Sequence, residues 1–560
     1  MRFEINLKNS FSENRLELEK TFDFFTIKTG ENVFVMNNVR VEQHFKSNKI
    51  NLQNIVSILP HYLEYGLVII IDKINESITI FNDIYGAFPL FLETNENSKI
   101  IKNSFQFDPN KTLNKLAIVQ LLHFNHLLGK NTLNIETEKI SGGQKIIVDK
   151  KGYSIIDFFT WNDYVNEIQK GIKVETRVLM NAAINESLKS KTNPILTLTG
   201  GFDSRLLLGL LLQQKSKFST ITWGAPNNNQ TSRAQEISSE FKIDHTNINL
   251  DEHFKNEVPR ILNYILKNGT ENPFITDIPQ FIYMCEKLDK NSDLISGFMG
   301  SEIIRGPSYS SQVTLTKFAA DIGLSTSKEE IKELILKFNA QFPYISQSFI
   351  DQNMNELIEE YSSYSKIGLV NTNQKNSNIF KYLFYEKYPK IYGPIIRFHH
   401  DLNINLINPY LDFTFIVKTL RENKALSEMT PYENGSLNNF YSYRFYAKEM
   451  KKIFPGLLHT KMDRGYKLKD LISTFGIMKL IPYQVYRKFK NKNIPQIKVV
   501  DSNSWYAELI QNNVEINQQE LKHVLNSTYI NENRSKINTM TDLDKIKFQL
   551  ILGLLKKMKC

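Results

Sequence analysis

Residues 195–210 read ILTLTGGFDSRLLLGL, and the fold follows from how this stretch is parsed. Ile195 to Leu198 is a short apolar run of the kind that forms a buried strand, and an apolar-periodic helix begins at about Arg205. Between them lies Thr199-Gly200-Gly201-Phe202-Asp203-Ser204. A strand, a glycine turn and a helix make an anion site. Small residues let backbone N–H groups approach a phosphate, the hydroxyls of Thr199 and Ser204 add donors, and the helix N-terminus adds positive dipole. Asp203 would repel phosphate unless a cation lay between them, so the stretch implies Mg²⁺. The spacing is not that of GxxxxGK[ST], and no lysine follows the glycines. The plain structural alternative is a Gly-Gly turn leading into a core helix.

Composition sets the outer limits. A chain of 560 residues has room for two or three domains. With 41% hydrophobic and 23% charged residues it reads as an ordinary globular protein. The two cysteines, Cys285 and Cys560, indicate no disulfide framework, and a reducing cytoplasm is the expected setting. No stretch reaches the roughly 18 uninterrupted apolar residues of a membrane span, and MRFEINLKNS lacks the apolar core of a signal peptide. The net charge of +10 is scattered along the chain, and no nucleic-acid motif accompanies it, so nucleic acid is not expected as a partner.

Two different patterns flank the central stretch. Downstream, Phe218–Gly224 and His245–Leu250 read as strands separated by a helix ending near Phe241. Leu294-Ile295-Ser296-Gly297-Phe298-Met299-Gly300-Ser301-Glu302 repeats the scheme of apolar strand and small-residue turn, here carrying an acid. Strands alternating with helices predict a doubly wound parallel sheet with ligands at the carboxyl ends of its strands. Upstream, Gly66–Asp72 and Ser77–Phe81 are β-branched runs joined by a polar turn, which predicts a hairpin.

The central loop resembles the SGGxDS loop of the ATP-pyrophosphatase superfamily, and the order of the remaining pieces resembles that of asparagine synthetase-like amidotransferases. Asn82-Asp83-Ile84-Tyr85-Gly86-Ala87-Phe88-Pro89-Leu90-Phe91 is similar to a segment that closes a hairpin in their glutaminase half. Gly142–Val148 and Trp161 fit the later strand and closing aromatic of that domain. The resemblance implies an α/β protein: an N-terminal glutaminase-like (Ntn-type) β-sandwich with flanking helices, then a doubly wound parallel-sheet ATP-pyrophosphatase domain with many helices. The expected boundaries are 1–165, 166–480 and a C-terminal helical extension at 481–560, with helices over Asn503–Asn526 and Thr541–Lys559. A glutaminase of the N-terminal-nucleophile type needs a thiol or hydroxyl after Met1. Arg2 and Phe3 stand there, so the resemblance implies a sandwich that does not release ammonia from glutamine.

The same resemblance implies site roles. Thr199, Gly200, Gly201, Asp203 and Ser204 would hold the pyrophosphate of ATP, and backbone at Trp223 and Gly224 would border adenine and ribose, with Trp223 as a mere core aromatic the alternative. Gly300 belongs to the second loop, whose acid completes a Mg²⁺ site opposite the first. Glu302 takes that place, so Asp203 and Glu302 are the expected metal pair; capping of the following helix is the alternative for Glu302. Glu386, in Tyr385-Glu386-Lys387-Tyr388-Pro389, matches the glutamate that β-lactam synthetases pair with a tyrosine to deprotonate the attacking amine, but the tyrosine position falls at Met299. Glu386 is thus a lone general base or an ordinary acid.

In Arg397–Asp412 the family's Asp, Glu and Arg are replaced by Ile396, Asn405 and Ile407, which puts aspartate as substrate in doubt. His399 and His400 lack further ligands at metal spacing and read as packing or hydrogen-bonding residues. Leu458–Lys467 is similar to the RxKxGF loop that delivers a lysine to the acyl-adenylate; Asp463 holds the lysine position, and Lys461 ranks ahead of Arg464 and Lys467 as the cation, a solvated basic loop being the alternative. The expected reaction is ATP- and Mg²⁺-dependent amide formation with release of AMP and pyrophosphate. The amine is carried by a small-molecule or peptide substrate that also bears the carboxylate, as in β-lactam synthetases and lasso-peptide cyclases, with a peptide-processing protein as a further partner. An ammonia-dependent asparagine synthetase and a non-catalytic nucleotide-binding scaffold are the rivals.

Overall fold

The computed structural model describes residues 3–482 apart from 22–24, 28–30, 37–40, 42–54, 109, 170–174, 189–192, 227, 269–277, 306–315, 370–377, 423–434, 463–464 and 481. The expected C-terminal extension, with its two helices, therefore lies outside the described residues. The architecture is mixed α/β, with two antiparallel sheets and one parallel sheet among the described residues.

The antiparallel part contains ten strands: β1 (Glu4–Asn6), β2 (Phe25–Ile27), β3 (Glu31–Met36), β4 (Leu67–Asp72), β5 (Ser77–Asn82), β6 (Phe91–Thr94), β7 (Lys99–Lys102), β8 (Thr137–Lys139), β9 (Gln144–Asp149) and β10 (Gly152–Asp157). They form a six-stranded sheet, β10-β9-β5-β4-β3-β2, and a four-stranded sheet, β1-β7-β6-β8. The expected hairpin is β4–β5, with Ile69 opposite Ile80. The run Leu67–Ile71 is apolar at every position because both faces of β4 are covered. Leu67, Ile69 and Ile71 enter a core shared with Ile5, Leu92 and Ile101 of the smaller sheet. Val68 faces Val33, Ile55 and Leu63 on the other side.

The hairpin ends in a turn built on one carboxylate. Asp83 is fully buried and accepts the backbone N–H groups of Tyr85 (3.0 Å), Ala87 (3.0 Å) and Phe88 (2.7 Å). Burial nevertheless raises its pKa to about 6, because removing the charge from water outweighs three donors. This turn meets the second half of the chain: a side chain at Gly393 would fall 2.5 Å from the carbonyl oxygen of Ala87. Tyr85 packs on Phe384 and Tyr388 (5.5 and 5.4 Å between ring centroids), and one continuous core runs from the antiparallel sheets to the parallel one.

The parallel sheet contains β11 (Ile195–Thr197), β12 (Ser219–Gly224), β13 (His245–Asn249), β14 (Asp293–Ile295) and β15 (Asn405–Ile407), in the order β13-β12-β11-β14-β15. Alternate residues enter different cores: Leu196 and Ile295 one, Leu294 and Ile248 the other. The sheet is thus buried on both faces, which is why its strands are short apolar runs. The chain order reverses direction between β11 and β14, so their carboxyl ends splay the connecting loops apart and open a crevice.

Candidate active site

The loop after β11 lies at that crevice. The helix Phe202–Gln213 starts at Gly201, whose backbone is extended and whose side makes no cap. The first-turn N–H groups of such a helix are a natural anion cradle. The hydroxyls of Thr199 and Ser204 bond within the turn, and both residues border the cavity beside it. Their oxygens lie 3.1 Å apart, Thr199 Oγ1 accepts from Gly201 N (3.1 Å), and Ser204 Oγ accepts from Thr199 N (3.1 Å). These contacts fix the shape of the turn.

Asp203 is the centre of the site. Its Oδ2 accepts from Ser301 Oγ and its Oδ1 from the Tyr446 hydroxyl, each at 2.5 Å. Its main-chain oxygen accepts from the Tyr410 hydroxyl at 2.8 Å, and Tyr446 also reaches the Gly300 carbonyl at 3.2 Å. The two loops interlock so tightly that a Cβ at Gly300 would lie 2.8 Å from the Tyr410 ring and 3.0 Å from Asp203 Cβ. Gly300 is therefore a packing requirement of the site. Met299 before it has φ +64°, a left-handed conformation costly for a side chain, and its side chain is buried in the core.

The expected metal pair, Asp203 and Glu302, stands on two neighbouring elements, the helix Phe202–Gln213 and the helix Gly300–Arg305. Ser301, not Glu302, meets the Asp203 carboxylate. The two neighbours belong to the helix Gly300–Arg305, where successive side chains point about 100° apart. Glu302 is buried within electrostatic reach of Lys387, whose pKa burial pushes down to about 8 while Glu302 partly opposes the shift.

A cavity of about 200 Å³ opens beside the loop, bordered by Asp203, Ser204, Gly297, Trp223, Phe281 and His399 among others. Trp223 is thus at the cavity. Gly224 is not among the residues bordering it, and the Thr231 methyl lies 3.0 Å from where its Cβ would be.

The basic loop and the glutamate are placed differently from one another. Arg205, fully buried, donates to Thr460 Oγ1 (2.9 Å) and to the Lys461 carbonyl (2.5 Å), tying the 455–467 segment to the helix that starts the anion loop. Lys461 is exposed, and its neighbours fold back through Met462 N to Tyr466 O (2.7 Å); Asp463 and Arg464 lie outside the described residues. Glu386 is buried in a wide π-type helical stretch, Leu383–Tyr392, and is not among the cavity-lining residues. Its Oε1 accepts from the Tyr364 hydroxyl (2.7 Å), and its Oε2 from Gly129 N (3.0 Å) and Lys390 Nζ (2.9 Å). Glu386 does have a tyrosine partner, but it is Tyr364, and the pair is closed by a lysine.

Ser301, Tyr410, Tyr446, Arg205 and His399 carry site geometry that sequence reasoning did not assign. Arg205 alone had a local signal: it is the single charge in Arg205–Leu212, an otherwise apolar helical run.

Residues 175–367 match the family model described as asparagine synthase, which is less than half of the chain. No curated protein matches the chain. Among solved structures, an allosteric regulatory enzyme of purine biosynthesis is 9% identical over 40% of this chain and 61% of its own, with a TM-score of 0.15. The glutamine phosphoribosylpyrophosphate amidotransferase from B. subtilis, complexed with ADP and GMP, is 11% identical over 40% of this chain and 47% of its own, with a TM-score of 0.13. The chain spans less than two thirds of the length of either, and at these scores the likeness carries no argument. No helix among the described residues is long and apolar enough to cross a membrane. The match over residues 175–367 supports an asparagine synthetase-like domain in that part of the chain.

Proposed function

We propose that this chain forms an amide bond by adenylating a carboxylate with ATP, and that the attacking amine is carried by the substrate, giving an intramolecular lactam or macrolactam in small-molecule or peptide biosynthesis. The observation that carries the reading is Asp203: a carboxylate partnered by two hydroxyls, at a helix start, beside a cavity at the switch point of a parallel sheet. In this reading the antiparallel sheets are a glutaminase-like sandwich (1–165) serving as support, residues 166–480 a doubly wound pyrophosphatase domain, and 481–560 an extension. The contact of Gly393 with the Asp83 turn suits such a support role.

Asp203, oriented by the Ser301 and Tyr446 hydroxyls, presents a carboxylate of the kind that takes Mg²⁺ together with substrate phosphates, and Glu302 is the candidate second carboxylate. Bound there, Mg²⁺ would neutralise charge on the phosphates. The backbone of Gly200 and Gly201 and the helix start would hold the pyrophosphate. Lys461, on the loop anchored by Arg205, would offset negative charge as the carboxylate attacks and pyrophosphate leaves. We assign Glu386 to positioning: its charge is already balanced by Lys390. Asn405 donates to Asp293 (3.1 Å) and Ile396 is buried, an arrangement that gives aspartate no charged anchor and weighs against asparagine synthesis.

The test is release of AMP and pyrophosphate from Mg-ATP by the purified protein. AMP with small-molecule or peptide fractions of the native host, and loss of one water from the product, is the expected outcome. AMP with aspartate plus ammonium would replace the proposal by asparagine synthesis. ATP binding with no AMP under any condition would favour a nucleotide-binding scaffold.

A further inference from the structure

The helix Phe202–Gln213 carries more than the anion loop. Arg205, its fourth residue, is 0% exposed, so the whole side chain lies inside the protein. A cation near the N-terminus of a helix opposes the dipole, and a buried one loses its hydration. Packing alone would be served as well by an apolar side chain of similar length. What a guanidinium supplies is a rigid fork with fixed donor directions. One prong donates to Thr460 Oγ1 (2.9 Å) and the other to the Lys461 carbonyl (2.5 Å). Thr460 Oγ1 gives its own hydrogen to the Leu457 carbonyl (2.8 Å), which leaves it an acceptor for Arg205. The residues that follow form a small hairpin. Lys461 and Lys467 make an antiparallel bridge, Met462 N donates to Tyr466 O (2.7 Å), and Gly465 N donates to Met462 O (2.9 Å). The fork thus grips the hairpin at its first residue by the main chain, and the Lys461 side chain stays exposed. One turn along the helix, Gly209 shares the face of Arg205; Met450 Sδ and Leu457 Cδ1 lie 3.0 and 3.4 Å from where its Cβ would stand. Tyr446, earlier in the same segment, reaches Asp203 at 2.5 Å. Three positions of one helix, Asp203, Arg205 and Gly209, therefore hold the chain from Tyr446 to Lys461.

We infer that Arg205 is a positioning residue for the reaction: it sets where the 461–467 hairpin stands relative to Asp203, and it acts on the chemical step rather than on nucleotide affinity. Both of its bonds go to the hairpin segment, and none of the two acceptors belongs to the glycine turn. A misplacement of about 1 Å at such a site costs on the order of 10²-fold in rate. The part of the inference that concerns rate rests on the proposed amide-forming reaction; the placement of the hairpin does not.

Two measurements on the full chain test it, and the first needs no substrate. Amide hydrogen exchange at Met462 and Gly465 is expected to be at least about 10-fold faster in Arg205→Met than in the wild type, with Arg205→Lys in between, because an ammonium keeps the charge without the fork. In the second, kcat for AMP release is expected to fall about 10²-fold in Arg205→Met while the Kd for Mg-ATP stays within about 3-fold of wild type. Should Arg205→Met not fold, Thr460→Val, which removes one acceptor of the fork, is read in the same two assays, with smaller shifts in the same direction. Unchanged exchange in the hairpin of a folded variant overturns the inference. A loss carried by Mg-ATP affinity with kcat kept overturns it too, since Arg205 would then belong to the nucleotide loop. A hairpin that loosens in Arg205→Met, in a protein whose wild type makes no AMP with any substrate, supports the placement by Arg205 and overturns the amide-forming reading.

Discussion

Asp203 and Glu386 are two carboxylates on the same body of helices, each touching a tyrosine, yet they are built for different ends. Glu386 shares Lys390 with the Gly129 carbonyl and takes a backbone N–H as well, so its charge is balanced inside the protein. Among the described residues, Asp203 has the hydroxyls of Ser301 and Tyr446 alone on its carboxylate. Hydroxyls orient a carboxylate without neutralising it, and the charge remains available to a cation outside the protein. In the proposed reading the buried acid with its own lysine, Glu386, is a strut, and the one held by hydroxyls beside the cavity, Asp203, is the ligand.

The sharpest way to break this contrast is Asp203→Asn. If the carboxylate holds the metal on the pyrophosphate, AMP formation falls by about 10³-fold or more, equivalent to about 4 kcal/mol of lost transition-state stabilisation, with the melting temperature little changed. Single-turnover AMP release measures it; a loss under about 10-fold would remove Asp203 from the chemistry. Glu386→Gln is expected to do the reverse, costing about 3–5 kcal/mol of stability because it strands the buried Lys390. The double variant Glu386→Gln with Lys390→Met should recover most of that loss in urea denaturation, and its AMP formation should stay within a few-fold of wild type. A stable, inactive double variant would return Glu386 to the role of general base.

Asp83 sharpens the comparison with a third arrangement, a carboxylate that accepts three backbone N–H groups while the Lys139 charge also favours its ionised form. Its folded pKa of about 6 lies above the ordinary value near 4, so the folded chain binds that proton more tightly than the unfolded chain. The corresponding stability is present below about pH 4 and is lost as pH rises through about 6. Urea midpoints across this range should show a smaller downward contribution in Asp83→Asn; an unchanged profile would mean that the N–H groups compensate for burial. The smallest expected effect is that of Gly300→Ala. The added methyl displaces the Tyr410 ring from Asp203, and a rise of about 10-fold in KM for Mg-ATP is expected, following the loss of roughly 1 kcal/mol of hydrogen bonding. An unchanged KM would show that the loops move apart without consequence.

Much of the fold was legible because its signals are local. The apolar runs Leu67–Ile71 and Ser77–Phe81 pair as β4 and β5, and Ile195–Thr197, Ser219–Gly224 and His245–Asn249 are neighbouring parallel strands. β15 was not anticipated: Asn405–Ile407 is three residues long, and its partner β14 is supplied by a segment more than a hundred residues earlier. Trp223 keeps both of its readings, since it borders the cavity and also packs against the core.

The residue types at the crevice were in the sequence: a glycine turn, an aspartate at a helix start and a second small-residue loop carrying an acid. The tertiary structure decided which groups meet. Ser301 or Glu302 against Asp203 is a question of helix phase, and a one-residue step turns a side chain through about 100°. The Tyr446 hydroxyl comes from 243 residues away, and Lys390 balances Glu386 because the segment carrying Gly129 packs over both. Local propensity and periodicity determine that strand, turn and helix form. The charge balance of each carboxylate depends on long-range packing, and that balance separates the candidate ligand from the strut.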